Sequence, residues 1–164
     1  MNKEVLTLKE QTVSEIADKF KNSGSAVVVE YRGLSVAEVT ELRRNLRAEN
    51  VDYKVYKNTL SSRAAEAAGY SELTNHLTGP NAIAFSEDAV APARILAKFA
   101  KTHNKLVIKA GIVEGSVLDA DAVNDIAKLP NRDGMISMLL GCFQAPVRDF
   151  ACVIKAVADA KEEA

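Results

Sequence analysis

Residues 51–59 read VDYKVYKNT, and this stretch decides the class of fold. Apolar and polar side chains alternate up to Tyr56, which predicts a strand with one buried face. Asn58 or Thr59 then caps an alanine-rich helix, which we expect to end at Gly69 because glycine commonly follows the last helical turn. A strand that leads at once into a helix indicates a domain built from both kinds of element.

The same succession of strands and helices extends outward from this stretch. Further strands are predicted at residues 26–31, 82–85 and 105–113, each beside a segment with helical periodicity. Two capping boxes, at residues 7–10 and 35–38, predict helix starts, because a Thr or Ser and a Glu three residues later satisfy each other's free amides. The order of elements leaves open whether the sheet is parallel or mixed.

Only helices are predicted after about residue 115. The chain is helical in character from Asp133 onward, and we expect Pro146 to interrupt it, so that a last helix begins at Val147. Five apolar side chains of that helix form a stripe about 120° wide, with charged residues opposite. The five are Val147, Phe150, Val153, Ile154 and Val157. Packing on its own domain is the commoner arrangement for such a helix, but the proline detaches this one and leaves it free to bind a partner.

The composition is that of a globular cytoplasmic protein. The chain has 164 residues, of which 48% are hydrophobic and 26% charged, enough for one compact domain and an appended element. No apolar run approaches the roughly 18 residues that would span a bilayer, and the N-terminus lacks the pattern of a signal peptide. We therefore expect a cytoplasmic protein with no membrane contact.

No sequence pattern indicates an enzyme. Glycine-rich phosphate loops, dinucleotide fingerprints and nucleophile elbows are absent. The two histidines and two cysteines make no metal-ligand cluster. Cys142 and Cys152 would lie about 15 Å apart on one helix, which is too far for a disulfide. We expect no catalytic residue, no metal, no cofactor and a reducing compartment.

Basic residues are concentrated in two windows, although the net charge is −1 and the pI is about 6.2. Residues 42–63 carry six basic and two acidic side chains, and residues 89–113 carry five basic and no acidic ones. At residues 32–35 and 57–59 a cation stands just before a helix N-terminus, whose free amides already favour an anion. Two such junctions at one sheet edge would suit the phosphates of a nucleic acid. Each basic stripe is otherwise a solvated helix face, and Asn58 can serve simply as a cap.

Five sequence blocks stand out when the chain is considered as a whole. They are 31–34 (YRGL), 42–47 (LRRNLR), 56–60 (YKNTL), 77–82 (LTGPNA) and 144–148 (QAPVR). Together, and in this order, they resemble the bacterial tenth large-subunit ribosomal protein family, the scaffold at the base of the ribosomal stalk. The resemblance runs over essentially the whole chain, and five blocks in register make it specific.

The resemblance implies an α+β fold with a ferredoxin-like mixed sheet, with α/β as the alternative. It implies that residues 1–130 form a domain that binds large-subunit ribosomal RNA at the GTPase-associated centre, beside the eleventh large-subunit protein. Residues 131–164 would form a projecting helical segment that anchors dimers of the acidic L-seven/L-twelve stalk protein, two of them for a helix this short. These dimers recruit translation-factor GTPases. Family members can also bind their own messenger leader and repress synthesis.

Nine residues in these blocks and in the first basic window are candidates for RNA contact. They are Arg32, Gly33, Arg43, Arg47, Lys54, Lys57, Asn58, Thr59 and Arg63. The five stripe residues after Pro146 are the candidates for stalk-protein binding. Two alternatives are a non-ribosomal RNA-binding adaptor and a small cytoplasmic α/β enzyme without a readable motif. Sedimentation with the large subunit would distinguish them from a stalk scaffold.

Overall fold

The computed structural model describes residues 3–162. The chain divides into two compact units, Met1–Leu129 and Pro130–Ala164. The first unit begins with α1 (Lys3–Asn22), β1 (Ser25–Glu30), α2 (Val36–Ala48), β2 (Asp52–Lys54) and α3 (Asn58–Ala68). It continues with a short 3-10 helix (Ser71–His76), β3 (Asn81–Ser86), α4 (Ala91–Thr102), β4 (Val107–Val113), β5 (Ser116–Asp119) and α5 (Ala120–Ile126).

All five strands form one sheet in the order β2-β3-β1-β4-β5, and every neighbouring pair is antiparallel. Helix α2 connects β1 to β2, and α4 connects β3 to β4; each connection passes over one strand that lies between the two. This is the ferredoxin-like order with β5 added at one edge, so the predicted α+β class is confirmed. The mixed sheet and the α/β alternative are wrong, because connections that skip a strand leave no two parallel strands adjacent.

The central strand β1 is buried on both faces of the sheet. Val27 and Val29 pack toward α2 and α4, whereas Val28 packs toward α1 and α3. Full burial of such an aliphatic side chain contributes about 1.5–3 kcal/mol. This burial on two faces explains why the sequence of β1 is a continuous apolar run rather than an alternating pattern. Because β1 is packed on both faces, its end, where the candidate site lies, is held in place as well.

The two predicted capping boxes have different outcomes. At α2, Glu38 N donates to Ser35 Oγ at 3.3 Å, and Ser35 N donates to Glu38 Oε2 at 2.6 Å, which confirms the second box. Helix α1 begins at Lys3, so Thr7 lies inside the helix and the Thr7–Glu10 box is wrong. Residues 3–6 contain no proline or glycine, and the helix therefore begins before the predicted cap.

The predicted end of α3 is confirmed, whereas its predicted cap is not. The cap position is Lys57, whose side chain makes no capping hydrogen bond, so a cap at Asn58 or Thr59 is wrong. Gly69 ends the helix as predicted. Its φ of 93° lies in the left-handed region, which glycine adopts without the steric cost that a Cβ imposes.

The second unit contains a single described helix, α6 (Arg132–Glu162), which is 31 residues long. Asn131 caps it by accepting a 3.0 Å hydrogen bond from the amide three residues on. Pro146 lies inside α6, so the predicted interruption and the predicted helix start at Val147 are wrong. A proline removes the hydrogen bond to the carbonyl four residues earlier. Here that carbonyl belongs to Cys142, an exposed residue, so water can take the place of the missing donor.

Candidate nucleic-acid interface

Three of the sequence blocks meet at one end of the sheet. Glu30 at the end of β1 pairs with Asn81 at the start of β3, and β2 runs antiparallel to β3, so it ends on the same side. The segments 31–33, 57–59 and 78–81 therefore lie at the same end, although they are far apart in sequence. We call these three segments the sheet-end surface.

Side chains from two other elements fix the turn that precedes β3. Asn58 Nδ2 donates to the Gly79 carbonyl at 2.7 Å. Lys109 Nζ donates to the Thr78 carbonyl at 2.5 Å and forms an ion pair with Glu30 at 2.6 Å. Both charged side chains of that pair are mostly buried. Asn58 is therefore a positioning residue for the turn rather than a helix cap.

Lys109 and Glu30 are not among the residues that the sequence predicted for the site. Both lie in strands that are otherwise largely apolar. A charge inside such a strand is costly to bury unless an opposite charge accompanies it. One such charge in β1 and the opposite charge in β4 are the sequence signal from which the pairing of these two strands could have been predicted.

The two helix N-termini at this end differ in whether an anion can reach them. At α2 the Glu38 carboxylate accepts a hydrogen bond from the Ser35 amide, and this hydrogen bond holds the pKa of Glu38 below its usual value. The capping box thus uses two of the amides predicted to bind a phosphate there, and the Glu38 carboxylate would repel an anion, so Arg32 remains a candidate by its charge and exposure alone. At α3, Lys57 provides no side-chain cap and the first turn has no acidic residue. That N-terminus and the Lys57 ammonium remain available to a phosphate.

A second group of predicted residues lines a pocket of about 350 Å³ beside β2. Arg43 and Arg47 reach it from consecutive turns of α2, and Lys54 reaches it from the end of β2. The Arg43 guanidinium lies 5.9 Å from the ring centre of Tyr53. Tyr53 belongs to the core, and burial raises its pKa to about 12. Asp52 also lines the pocket, but its main ion-pair partner is Lys19, and Lys54 Nζ lies farther from it at 3.8 Å, so the pocket keeps a net positive charge.

A second cavity, of about 370 Å³, lies on the other side of Val55. Its remaining lining residues come from all three segments of the sheet-end surface and from Tyr56. They are Tyr31, Tyr56, Lys57, Asn58, Thr59, Gly79, Pro80 and Asn81. The stretch 51–59 therefore runs along both cavities and brings the two groups of candidates into one region.

Arg63 and the part of the second basic window that lies on α4 are apart from these cavities. Arg63 lies on α3 and lines a separate groove against α1. Arg94 on α4 forms an ion pair with Glu49 at 2.5 Å, which neutralises it. Lys105 follows the end of α4, and its Cδ lies 3.5 Å from where a Cβ on Gly33 would be. Lys105 thus adds a positive charge to the sheet-end surface, which the sequence window did not specify.

Groups typical of catalysis or metal binding are scattered across the described residues. Between residues 3 and 162 no set of three or more His, Cys, Asp or Glu side chains is placed to hold a metal ion. The two cysteines are free and exposed on α6. His103 stacks on Phe99 with ring centres 4.1 Å apart, a packing contact within α4 and its C-cap.

Helix α6 exposes a longer apolar stripe than the sequence predicted. The five predicted residues are all more than half exposed. Toward the N-terminus the same helix face continues through Ile136, Leu139, Leu140 and Phe143, which are also exposed. Within this stripe, seven side chains follow one another at alternating spacings of four and three residues. They are Ile136, Leu140, Phe143, Val147, Phe150, Ile154 and Val157. This heptad repeat is typical of a helix that packs against other helices with a left-handed crossing.

Comparison with known proteins gives matches over both units. The family model described as ribosomal protein L10 matches residues 4–101, and the model described as ribosomal protein uL10 C-terminal region matches residues 129–164. The chain is 58% identical over 160 residues to the large ribosomal subunit protein uL10 of Bacillus cereus strain B4264. It is equally similar to the protein of that name from Bacillus anthracis strain A0248. Each alignment covers 97% of this chain and 96% of the relative.

Proposed function

The chain belongs to the ribosomal protein uL10 family, and from this premise we propose that its first unit binds large-subunit ribosomal RNA while α6 carries acidic stalk-protein dimers. As a member of this family the protein is a structural, non-enzymatic constituent of the large ribosomal subunit and acts in translation in the bacterial cytoplasm. This membership excludes the two alternative functions, an enzyme without a readable motif and a non-ribosomal adaptor. The observation that supports the proposal is that the first unit has two cavities with basic residues in their lining, whereas α6 has an exposed heptad stripe.

The RNA contact is supported by the local distribution of charge. The open N-terminus of α3 with Lys57 and the pocket of Arg43, Arg47 and Lys54 lie on either side of Val55. Phosphates bind helix amides and cationic side chains, and neither contact depends on base sequence. Because acids such as Asp52 are already ion-paired, these positive groups act locally even though the whole chain has a net charge of −1.

The stalk contact is supported by the length and chemistry of the stripe on α6. From Ile136 to Val157 the stripe runs about 32 Å along the helix. Divided between two dimers, this length gives each of them about 16 Å, or roughly three turns of α6. The stripe is therefore long enough for the two dimers that the family resemblance implies.

Two further partners belong to the same proposal. The first unit would lie beside the eleventh large-subunit protein at the GTPase-associated centre, and it would also bind the protein's own messenger leader. Only the family resemblance supports these two contacts. Either RNA would use the same phosphate-binding groups, since those groups recognise backbone rather than sequence.

The composition of α6 also fits a membrane-spanning helix, but membership of a ribosomal protein family makes that interpretation unnecessary. By length and composition alone, Asp133–Asp159 could cross a membrane. Arg148, Asp149 and Lys155 lie within that span and would be costly in a bilayer. They lie opposite the stripe, where a protein partner would leave them in water.

Sedimentation with and without nuclease tests the proposal. Full-length tagged protein should sediment with the large subunit. After the RNA is digested, it should retain the acidic stalk protein and lose the RNA, since the two contacts use different units. Loss of the stalk protein together with the RNA would contradict α6 as its attachment site, and failure to sediment with the subunit would contradict the RNA contact.

A further inference from the structure

The cavity beside the α3 N-terminus contains a buried polar side chain that the fold does not satisfy. Asn81 is only 4% exposed, and it lies at the start of β3 where the cavity meets the sheet. Neither its amide nitrogen nor its amide oxygen has a hydrogen-bond partner among the described residues. Buried polar groups are normally paired, so an unpaired donor and acceptor on one side chain call for an explanation.

The surroundings of Asn81 indicate what kind of group would pair with it. Tyr31 and Tyr56 are half-buried aromatic residues in the lining, and Pro80 adds an apolar surface. Lys57 and the open amides of α3 stand at the same cavity. The cavity is shallow and open, with a volume of about 370 Å³, so a planar ring can lie in it with one face against the protein. Aromatic rings, an amide with a donor and an acceptor, and a cation are the groups that together bind a nucleotide.

We propose that this cavity receives one unpaired base of the bound RNA. The base stacks on a tyrosine ring, and the Asn81 amide, whose polar atoms are enclosed in the unbound protein, turns toward the base edge and gains the hydrogen bonds that it lacks. Adenine is the expected base, because asparagine pairs with it through one donor and one acceptor. The phosphate of the same nucleotide rests on Lys57, and the backbone continues past Val55 toward the arginine pocket. This inference rests on the proposed RNA contact and adds a base-specific interaction to it.

A titration of the full-length protein with a large-subunit RNA fragment tests the inference. The fragment covers the GTPase-associated centre, and its unpaired nucleotides are replaced one at a time by abasic sites. One position is expected at which loss of the base lowers the affinity roughly tenfold, in line with the strength of base stacking on an aromatic ring. If no unpaired position changes the affinity more than about twofold, the inference is overturned.

Two protein variants separate base recognition from phosphate binding. Asn81→Leu keeps the side-chain shape and removes both polar atoms, so it should lower the affinity for intact RNA roughly tenfold and respond no further to the sensitive abasic site. Its salt dependence should match that of the wild type, because no phosphate contact is lost. Asn124→Leu, at an exposed asparagine on α5, is the matched control and should bind like the wild type.

The outcomes distinguish this inference from the function on which it rests. If the wild type binds the fragment and no abasic site matters, the base pocket is wrong and the RNA contact stands. If the wild type does not bind the fragment at all, both are wrong. If Asn81→Leu fails to fold, the abasic series on the wild type decides alone.

Discussion

In the first unit the candidate binding groups are cations and open helix amides at one end of the sheet and along strand β2, whereas α6 presents aliphatic and aromatic side chains in a heptad stripe. The first kind of contact is electrostatic and is weakened by salt. The second is hydrophobic and depends little on salt. The comparison suggests that one chain can be fixed to RNA and still hold protein partners, because a change that disturbs one contact leaves the other intact.

The largest expected effect is on the apolar side of this comparison. Phe150→Asp places a carboxylate in the heptad stripe, where a bound helix would desolvate it at a cost of several kcal/mol. We expect stalk-protein affinity at that segment to fall a hundredfold or more, about 3 kcal/mol, while RNA binding is unchanged. Native mass spectrometry of the reconstituted complex counts the dimers. Cys152→Asp introduces the same charge on the opposite face and should keep the full number; a full number on Phe150→Asp would mean that the stripe does not bind them.

Salt should separate the two contacts in the unmodified protein. If Arg43, Arg47, Lys54 and Lys57 each neutralise one phosphate, raising salt from 50 to 200 mM should weaken RNA binding roughly 50- to 150-fold. Stalk-protein affinity should change less than about twofold over the same range. Isothermal titration at several salt concentrations measures both. Equal slopes for the two partners would remove the distinction between them.

The difference between the two helix N-termini gives a smaller and sharper test. Lys57→Ala should reduce the salt slope of RNA binding by about one, because it removes a phosphate contact at an open helix end. Arg32→Ala should change the slope less, since Glu38 already occupies the neighbouring α2 N-terminus. RNA titrations of both variants provide the comparison. A larger change for Arg32→Ala would reverse the assignment of the phosphate site.

The smallest effect is expected from the residues that hold the turn before β3. Lys109→Met leaves the mostly buried Glu30 carboxylate without its partner and should lower the free energy of unfolding by about 1–3 kcal/mol. RNA affinity should fall only a few-fold, because the turn is loosened rather than removed. Urea unfolding and RNA titration measure the two effects. The double variant Lys109→Met with Glu30→Gln should recover part of the stability; no recovery would show that the ion pair is not the cause.

The sequence allowed the fold class to be predicted because periodicity and capping are local. The Ser35–Glu38 box and the stop at Gly69 depend only on neighbouring residues, and both are confirmed. Strand β5 is not among the predicted strands, because Glu114 and Gly115 directly follow the strand predicted at residues 105–113 and are typical of a turn that ends it. With φ values of 48° and 83°, these two residues instead form the tight turn of a hairpin between β4 and β5.

The candidate site was harder to predict because its roles depend on tertiary contacts. Asn58 has the sequence signature of a cap, but its partner is the carbonyl of Gly79, which only the fold brings near. At Ser35 the sequence predicts two uses for one set of amides, a capping box and an anion site, and the confirmed box uses two of those amides. Helix α6 likewise continues through Pro146, because the residues on both sides of the proline keep the helical conformation.

A single pull-down from cells tests most directly the claim that the two contacts are independent. Full-length tagged protein is captured as wild type, as Phe150→Asp and as the double variant Arg47→Ala with Lys57→Ala, and bound ribosomal RNA and stalk protein are quantified in each sample. We expect Phe150→Asp to lose stalk protein and keep RNA, and the double variant to lose RNA and keep stalk protein. Loss of both partners from either variant would contradict the account.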